Sequence, residues 1–445
     1  MNKPTVVVSC PADTYSGYGG RSRDFVQALI DTGKYEVRIL SQRWGNTRFG
    51  YLNDHGEEDL ASRLIYELKE QPDIWIQITI PNEFQKVGKF NIGVTAGIET
   101  NLCHASWIDG CNRMDLVLAS SNHAKNVLEG SKYEVADRNN PNVKRPLEIK
   151  TKIEILFEGL RLDKYYNIKK EERTELSEYL DTIPETFCYL AMGHWMQGAL
   201  GEDRKNLPYT IKSFLETFKN KQNRPALILK SHTSTTSILD RDRMLENINK
   251  VKQTVKGAIP NIYLIHGEVD DAEINELYNH PKVKALVSLT KGEGYGRPFL
   301  EFGAIGKPII ASGWSGHVDF LKSDFVRFVT GTLEKVHPSS VVKDLILPEA
   351  SWFRPNDLDV ARSYKEVIKK YKKFLNLAKR QASHIKRNYS HEKMVETLSN
   401  YMTQYVPDFP SQIELNLPKL DLPKLEKIDG ETKKEITLPK LEKLL

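Results

Sequence analysis

Cysteine is scarce in this 445-residue chain: Cys10, Cys103, Cys111 and Cys188 stand apart, with no C-x-x-C pair and no metal-ligand spacing. A disulfide framework is thereby excluded, and buried thiols in a reducing compartment are expected. No apolar run reaches the ~20 residues that a membrane-crossing helix needs. Residues 1–8 hold only a short apolar run, which reads as a first strand and not as a signal peptide. A strong charge imbalance is missing as well. The net charge of +5 permits an anionic partner without requiring one. Asp270-Asp271 lacks the D-x-D spacing of a metal-binding carboxylate pair and reads as a cap for a helix beginning near Ala272. These absences predict a soluble, cytoplasmic protein with no transmembrane segment and no essential metal.

What is present suits two core domains plus extras. Residues 5–9 read as a buried parallel strand. A glycine-bearing loop (11–20), a helix (23–31) and a second strand (37–40) complete a βαβ unit. Further strands are expected at 74–80, 91–95 and 116–119. A second series begins at Phe187, with a helix at 207–218 and strands at 226–230, 262–266, 285–288 and 309–312. The predicted class is α/β, two Rossmann-like doubly wound domains (1–175 and 185–375) facing a crevice, where a ligand belongs.

Residues 364–386 read as one helix with an apolar face. Its other face carries Lys365, Lys369, Lys370, Lys372, Lys373, Lys379, Arg380 and Lys386. That face reads as solvated, with an electrostatic dock for DNA or anionic lipid as the alternative. The last forty residues, 406–445, change character. The tetrapeptide Leu-Pro-Lys-Leu occurs at 417–420, 422–425 and 438–441. Proline at this density prevents a long helix. The segment reads as a surface tail, or over 417–445 as a docking peptide for a protein partner.

The run Lys291-Gly-Glu-Gly-Tyr-Gly-Arg-Pro-Phe-Leu-Glu301 carries the most chemistry. A carboxylate at Glu293 precedes a glycine turn, and Pro298 stands where a helix would begin. Glu301 is expected in the first turn, Gly306 closes the helix, and an apolar strand follows. Amides at such a helix start form an anion site suited to phosphate. Carboxylates on either side can accept hydrogen bonds from sugar hydroxyls, which is the layout of a nucleotide sugar. By itself, Glu301 also fits a glutamate that merely favours a helix N-terminus.

The spacing Glu293 to Glu301 resembles the E-x7-E signature of retaining glycosyltransferases of the GT-B architecture, in particular the large family four. Glu301-Phe-Gly-Ala-Ile-Gly-Lys-Pro-Ile-Ile is similar to the segment that follows that signature. The resemblance covers most of residues 5–400. The wording Gly292-Glu-Gly-Tyr-Gly-Arg-Pro and Trp314-Ser-Gly-His also resembles glycosyltransferases encoded by large tailed phages. The resemblance implies that Glu293 contacts the donor sugar and Glu301 the ribose. It places Gly294, Tyr295, Gly296, Arg297 and Pro298 at the donor, and Gly19 and Gly20 at its diphosphate. It implies that Lys205, with Arg204 beside it, neutralises the leaving diphosphate, because His194 stands where the family has an arginine. Ser315-Gly316 departs from a glycine pair, and His317 either faces the donor or is a packed histidine. Glu99 falls where family members carry acceptor-side residues. It is expected to orient or deprotonate the acceptor hydroxyl, or else to be a structural acid. His104 and Asp109 are weaker candidates. Ser120-Ser121 matches a serine lining the crevice, Glu158-Gly159 a turn near the hinge, and the terminal helices (376–405) should cross back onto the first domain.

The expected activity is thus metal-independent transfer, with retention, from a nucleotide sugar to a hydroxyl. The co-substrate is a UDP-sugar by first choice, and no cofactor is needed. The acceptor stays open among modified DNA, polysaccharide, lipid and protein. A nucleotide-sugar epimerase or hydrolase, and a non-catalytic sugar-nucleotide-binding module, remain as alternatives.

Overall fold

A computed structural model describes residues 3–136, 143–168, 175–195, 201–233 and 235–409. Seven strands form the first sheet, in the order β3-β2-β1-β4-β5-β6-β9. They are β1 (Thr5–Cys10), β2 (Glu36–Ser41), β3 (Leu64–Ile65), β4 (Ile74–Ile78), β5 (Phe90–Thr95), β6 (Leu116–Ala119) and β9 (Lys152–Ile155). A small antiparallel hairpin, β7 (Tyr133–Ala136) with β8 (Lys144–Leu147), precedes the last of them. The second sheet holds β10 (Cys188–Met192), β11 (Ala226–Lys230), β12 (Ile262–Ile265), β13 (Val283–Ser288), β14 (Ile309–Ser312) and β15 (Arg327–Val329). Its order is β12-β11-β10-β13-β14-β15. Every pairing within these two sheets is parallel. In both sheets the order reverses beside the first strand, which is the topological switch point where doubly wound folds bind ligands. The apolar strand runs are buried because helices cover both faces. All four cysteines are free and buried, and burial pushes the Cys10 thiol up to about 12.

Several elements differ from expectation, each for a physical reason. The first helix spans Gly17–Asp31 and starts six residues early, so Gly19 and Gly20 lie in its first turn and not in a loop. Ser16 caps it, its hydroxyl accepting from the Gly19 amide at 2.8 Å. Only glycine fits at position 19, where a Cβ would lie 2.3 Å from the Thr14 carbonyl oxygen. Arg297–Ile305 is the helix after the glycine turn. Its first residue is Arg297, so Pro298 is second and Glu301 falls in the second turn, not the first. Gly306 closes that helix in the left-handed conformation, φ 81°.

The long helix expected over 364–386 is two helices, Asp357–Lys369 and Tyr371–Asn388, broken at Lys370. Tyr364 and Val367 pack beneath the second sheet with Phe214. Ile385 instead packs against the Arg297–Ile305 helix, where a Cβ on Gly303 would lie 2.6 Å from its side chain. One straight rod does not face both surfaces. Tyr371–Asn388 therefore stays with the second sheet, and the crossing expected from 376 begins with the helix His391–Tyr405. There Met394, Leu398 and Met402 enter the core of the first sheet, and the Tyr401 hydroxyl donates to the Ile155 carbonyl at 3.1 Å. An unforeseen antiparallel hairpin, β16 (Gly331–Lys335) with β17 (Ser351–Pro355), reaches the first domain. The Asn101 amide donates to the Ser351 carbonyl at 2.9 Å, and Leu102 packs beside Trp352. The Leu-Pro-Lys-Leu segments lie outside the described residues.

Candidate active site

Four side chains meet where the two sheets face each other. Arg204 and Lys205 end the loop before the Leu207–Phe218 helix, whose cap Asn206 is left-handed at φ 56°. Glu293 follows the C-terminal end of β13, and Glu99 follows the C-terminal end of β5. The Lys205 ammonium lies 2.7 and 2.8 Å from the two oxygens of Glu293. Arg204 Nη1 lies 3.2 Å from Glu99 and 3.5 Å from Glu293. Burial alone would raise the Glu293 pKa, but Lys205 and then Arg204 outweigh it and hold the carboxyl down at about 2. Burial lowers the Lys205 pKa, with Glu293 opposing. The result is a desolvated cluster with two cations aimed at one carboxylate and a second carboxylate, Glu99, on the first-domain side.

The glycine turn joins the domains through backbone. A Cβ on Gly292 would lie 1.8 Å from the Glu99 carbonyl oxygen, and one on Gly294 would lie 2.4 Å from that of Ala96. The Ser121 hydroxyl donates to the Gly294 carbonyl at 2.6 Å while accepting from the Ala124 amide as a helix cap. The serines expected to line the crevice thus clamp its far wall, and the crevice is closed. Ser315 Oγ accepts the Glu293 amide at 2.9 Å, and the Gly316 amide donates to the Glu293 carbonyl at 2.9 Å. Gly296, at φ 99°, caps the Arg297–Ile305 helix.

Glu301 sits apart from the first cluster. Tyr278 donates to it at 3.1 Å, and Arg297 Nε lies 3.5 Å away. Burial dominates here, helped by Asp271 and opposed by Arg297, and raises the carboxyl to about 7. Arg297 also reaches across the crevice to Asp24 at 2.6 Å and Glu158 at 3.4 Å. It is therefore a bridging cation among carboxylates. Tyr295 turns its ring into the core against Phe320 and donates to the Glu158 carbonyl at 3.1 Å, so only its backbone belongs to the turn. Pro298 and Gly20 lie at the same junction, Gly20 opposite the Arg297 guanidinium.

His317 is a packed histidine, fully buried and stacked on Phe299 with ring centroids 4.5 Å apart. Its Nε2 lies 2.7 Å from the Ser312 carbonyl oxygen, so that nitrogen carries the proton, and Nδ1 has no partner among the described residues. Burial lowers its pKa. His194 is neutral as well: burial, then His232 and Lys205, push it down to about 3. Asp270 is a cap within a full capping box, whereas Asp271 accepts from Tyr165 at 2.9 Å and pairs with Lys164 at 3.0 Å. His104 caps the Ala105–Asn112 helix, which contains Asp109, and neither joins the cluster. Among the described residues no three His, Cys, Asp or Glu side chains gather where a metal could sit, and no helix is long and apolar enough to cross a membrane.

Sequence reasoning did not place Arg21 in this junction, where it is a structural cation. It is buried, with Nη1 2.9 Å from Glu158, and its Nε and Nη2 have no partner among the described residues. Asp24 was missed too. Arg21 and Asp24 are three apart on one helix, so they share a face. That spacing was the available signal.

No family profile matches the sequence, and no curated protein matches it. Solved structures do match, over nearly the whole of each chain. A glycosyltransferase from Rickettsia africae superposes with a TM-score of 0.61 at 15% identity, over 91% of this chain and 99% of that one. The sucrose-phosphate synthase of Thermosynechococcus elongatus gives 0.60 at 11% identity, over 91% and 99%. The Anabaena protein HepE, solved with UDP-glucose, gives 0.59 at 10% identity, over 90% and 100%. The architecture is therefore GT-B, two parallel-sheet α/β domains about a crevice.

Proposed function

We propose that the chain is a glycosyltransferase that moves a sugar, with retention, from a nucleotide sugar to an acceptor hydroxyl. A UDP-sugar is the first-choice donor, as in the HepE complex with UDP-glucose. The observation that carries the reading is the convergence of Lys205 and Arg204 on Glu293 at the switch-point crevice, with a second buried carboxylate, Glu301, on the helix that follows.

In this reading the donor hexose hydroxyls replace part of the ammonium contact of Glu293. The diphosphate takes over Lys205 and Arg204, together with the amides that start the Arg297–Ile305 helix. Glu301 accepts the ribose hydroxyls. The bond from the anomeric carbon to the phosphate oxygen breaks as charge develops on that oxygen beside the two cations. The acceptor oxygen bonds to the same face, and its proton passes to the leaving phosphate oxygen. Glu99, held by Arg204, orients the acceptor hydroxyl. The backbone closure across Gly292 and Gly294 excludes water. Charge neutralisation by side chains makes the reaction metal-independent.

A second reading, a sugar-nucleotide-binding module without turnover, is favoured by one observation. His194, standing in for an expected cation, is held neutral. A thermal-shift screen tests both readings, with UDP, GDP, ADP and their sugars against wild type and Glu301→Ala. Stabilisation by one nucleotide, lost in the variant, is expected. No stabilisation by any nucleotide overturns the donor site altogether.

A further inference from the structure

Eight of the chain's 64 Lys and Arg fall between residues 367 and 391, where there is no Asp or Glu, so the rest of the chain, with 56 against 59 acidic residues, is net negative. The positive charge of this protein is therefore a local feature. Six of the eight form a pattern within the Tyr371–Asn388 helix: Lys372-Lys373, Lys379-Arg380 and Lys386-Arg387, three pairs seven residues apart. Seven residues are close to two helical turns, so the pairs stack into two adjacent rows about 21 Å long. The opposite face, Ala378, Gln381, Ala382 and Ile385, is buried against the protein. Five of the six cations are exposed and Lys386 is half-buried. Between the rows stand the exposed residues Asn376 and Ser383.

Two lysines on other helices have partners at hand. Lys250 lies 2.9 Å from Glu246, and Lys393 lies 2.6 Å from Glu396. Among the described residues no carboxylate stands within ion-pair distance of any of the six stripe cations. Arg380 instead lies 4.6 Å over the Phe325 ring. Like charges at one- and seven-residue spacing with no carboxylate among them repel one another at low salt, and an external polyanion relieves that repulsion.

We infer that this stripe is a docking surface for double-stranded nucleic acid, held through its phosphates. The inference does not rest on the transfer reaction. An anionic bilayer is the competing polyanion, and the surface chemistry disfavours it. Stable membrane attachment combines charge with an apolar anchor, and none of the exposed large apolar side chains lies on this helix or the one after it. Nucleic-acid binding needs no such anchor, because counterion release alone drives non-specific association.

Fluorescence anisotropy of the full chain with a 20-base-pair duplex DNA, in 50–200 mM salt, tests this. Wild type is expected to bind at the low-salt end, with a log–log salt slope of about −3 to −5. The variant Lys372→Gln, Lys373→Gln, Lys379→Gln, Arg387→Gln leaves Lys386 and Arg380 in place and should keep the wild-type melting temperature. It should weaken binding at least ~10-fold and flatten the slope. Neutralising Lys221, Lys250, Lys252 and Lys256 instead should change affinity less than ~2-fold. Equal loss in both variants, absence of duplex binding at 50 mM salt, or binding to phosphatidylserine vesicles in place of the duplex would each overturn the proposal.

Discussion

Glu301 and Glu293 are the same residue type eight positions apart, held in opposite electrostatic states. Glu293 has two cations within reach and stays ionised. Glu301 is buried near Asp271 and Asp24, with Arg297 opposing, and its carboxyl rises from the usual 4.5 to about 7. A carboxyl that binds its proton more tightly when folded adds stability below pH 4.5 and loses it as pH rises through 7. Ribose hydroxyls donate best to the ionised form, so binding should run the other way. Nucleotide affinity should rise about tenfold between pH 6 and pH 8, in proportion to the ionised fraction of this group. In Glu301→Gln that dependence should vanish. Calorimetric titration at the two pH values checks it, and a flat wild-type profile would remove Glu301 from the nucleotide site.

At the scale of elements, the loop before Gly316 stores strain. Ser315 adopts φ 80° and ψ −162°, a conformation that glycine favours, and its hydroxyl accepts the Glu293 amide. Ser315→Ala keeps the strain and strands a buried N–H, at a cost of ~1–3 kcal/mol. Ser315→Gly loses the same bond but relieves ~1–3 kcal/mol of strain. Of the two variants, Ser315→Gly should melt higher. Equal melting temperatures would show that the backbone is not strained.

Elements made of continuous apolar runs were legible. Strands at 116–119, 226–230 and 309–312 and the helix at 207–218 fall where the sequence places them, because burial alone defines them. The β7–β8 hairpin, β9 and the β16–β17 hairpin were not, since charged residues interrupt their short runs. The early start of the Gly17–Asp31 helix rests on the Ser16 cap, which three glycines of poor helix propensity at 17, 19 and 20 obscure in the sequence. Of the site, Glu99, Arg204, Lys205 and Glu293 were named from sequence, and the structure brings all four together. Arg297 reaches Asp24 and Glu158 across the crevice, and a pairing between domains is not legible from spacing along one of them.

At the scale of the molecule, function in this account depends on closure. Gly292 and Gly294 let the backbone of one domain touch that of the other, next to Glu99. Gly294→Ala would set a Cβ 2.4 Å from the Ala96 carbonyl oxygen and should hold the domains apart. Small-angle scattering should then give a larger radius than wild type, with nucleotide binding retained on the second domain. An unchanged radius would show that the glycine turn does not limit closure.

In the proposed reaction the cluster of Lys205, Arg204 and Glu293 breaks the bond between sugar and diphosphate. Release of nucleoside diphosphate from each nucleotide sugar, with hydroxymethylated DNA, polysaccharide, lipid and protein acceptors supplied in turn, is compared between wild type and Glu293→Gln. Release from one nucleotide sugar by wild type is expected, with a large loss of rate in Glu293→Gln while the nucleotide stays bound. Tight binding of a nucleotide sugar by wild type with no release above the Glu293→Gln background would contradict it and leave a binding module in its place.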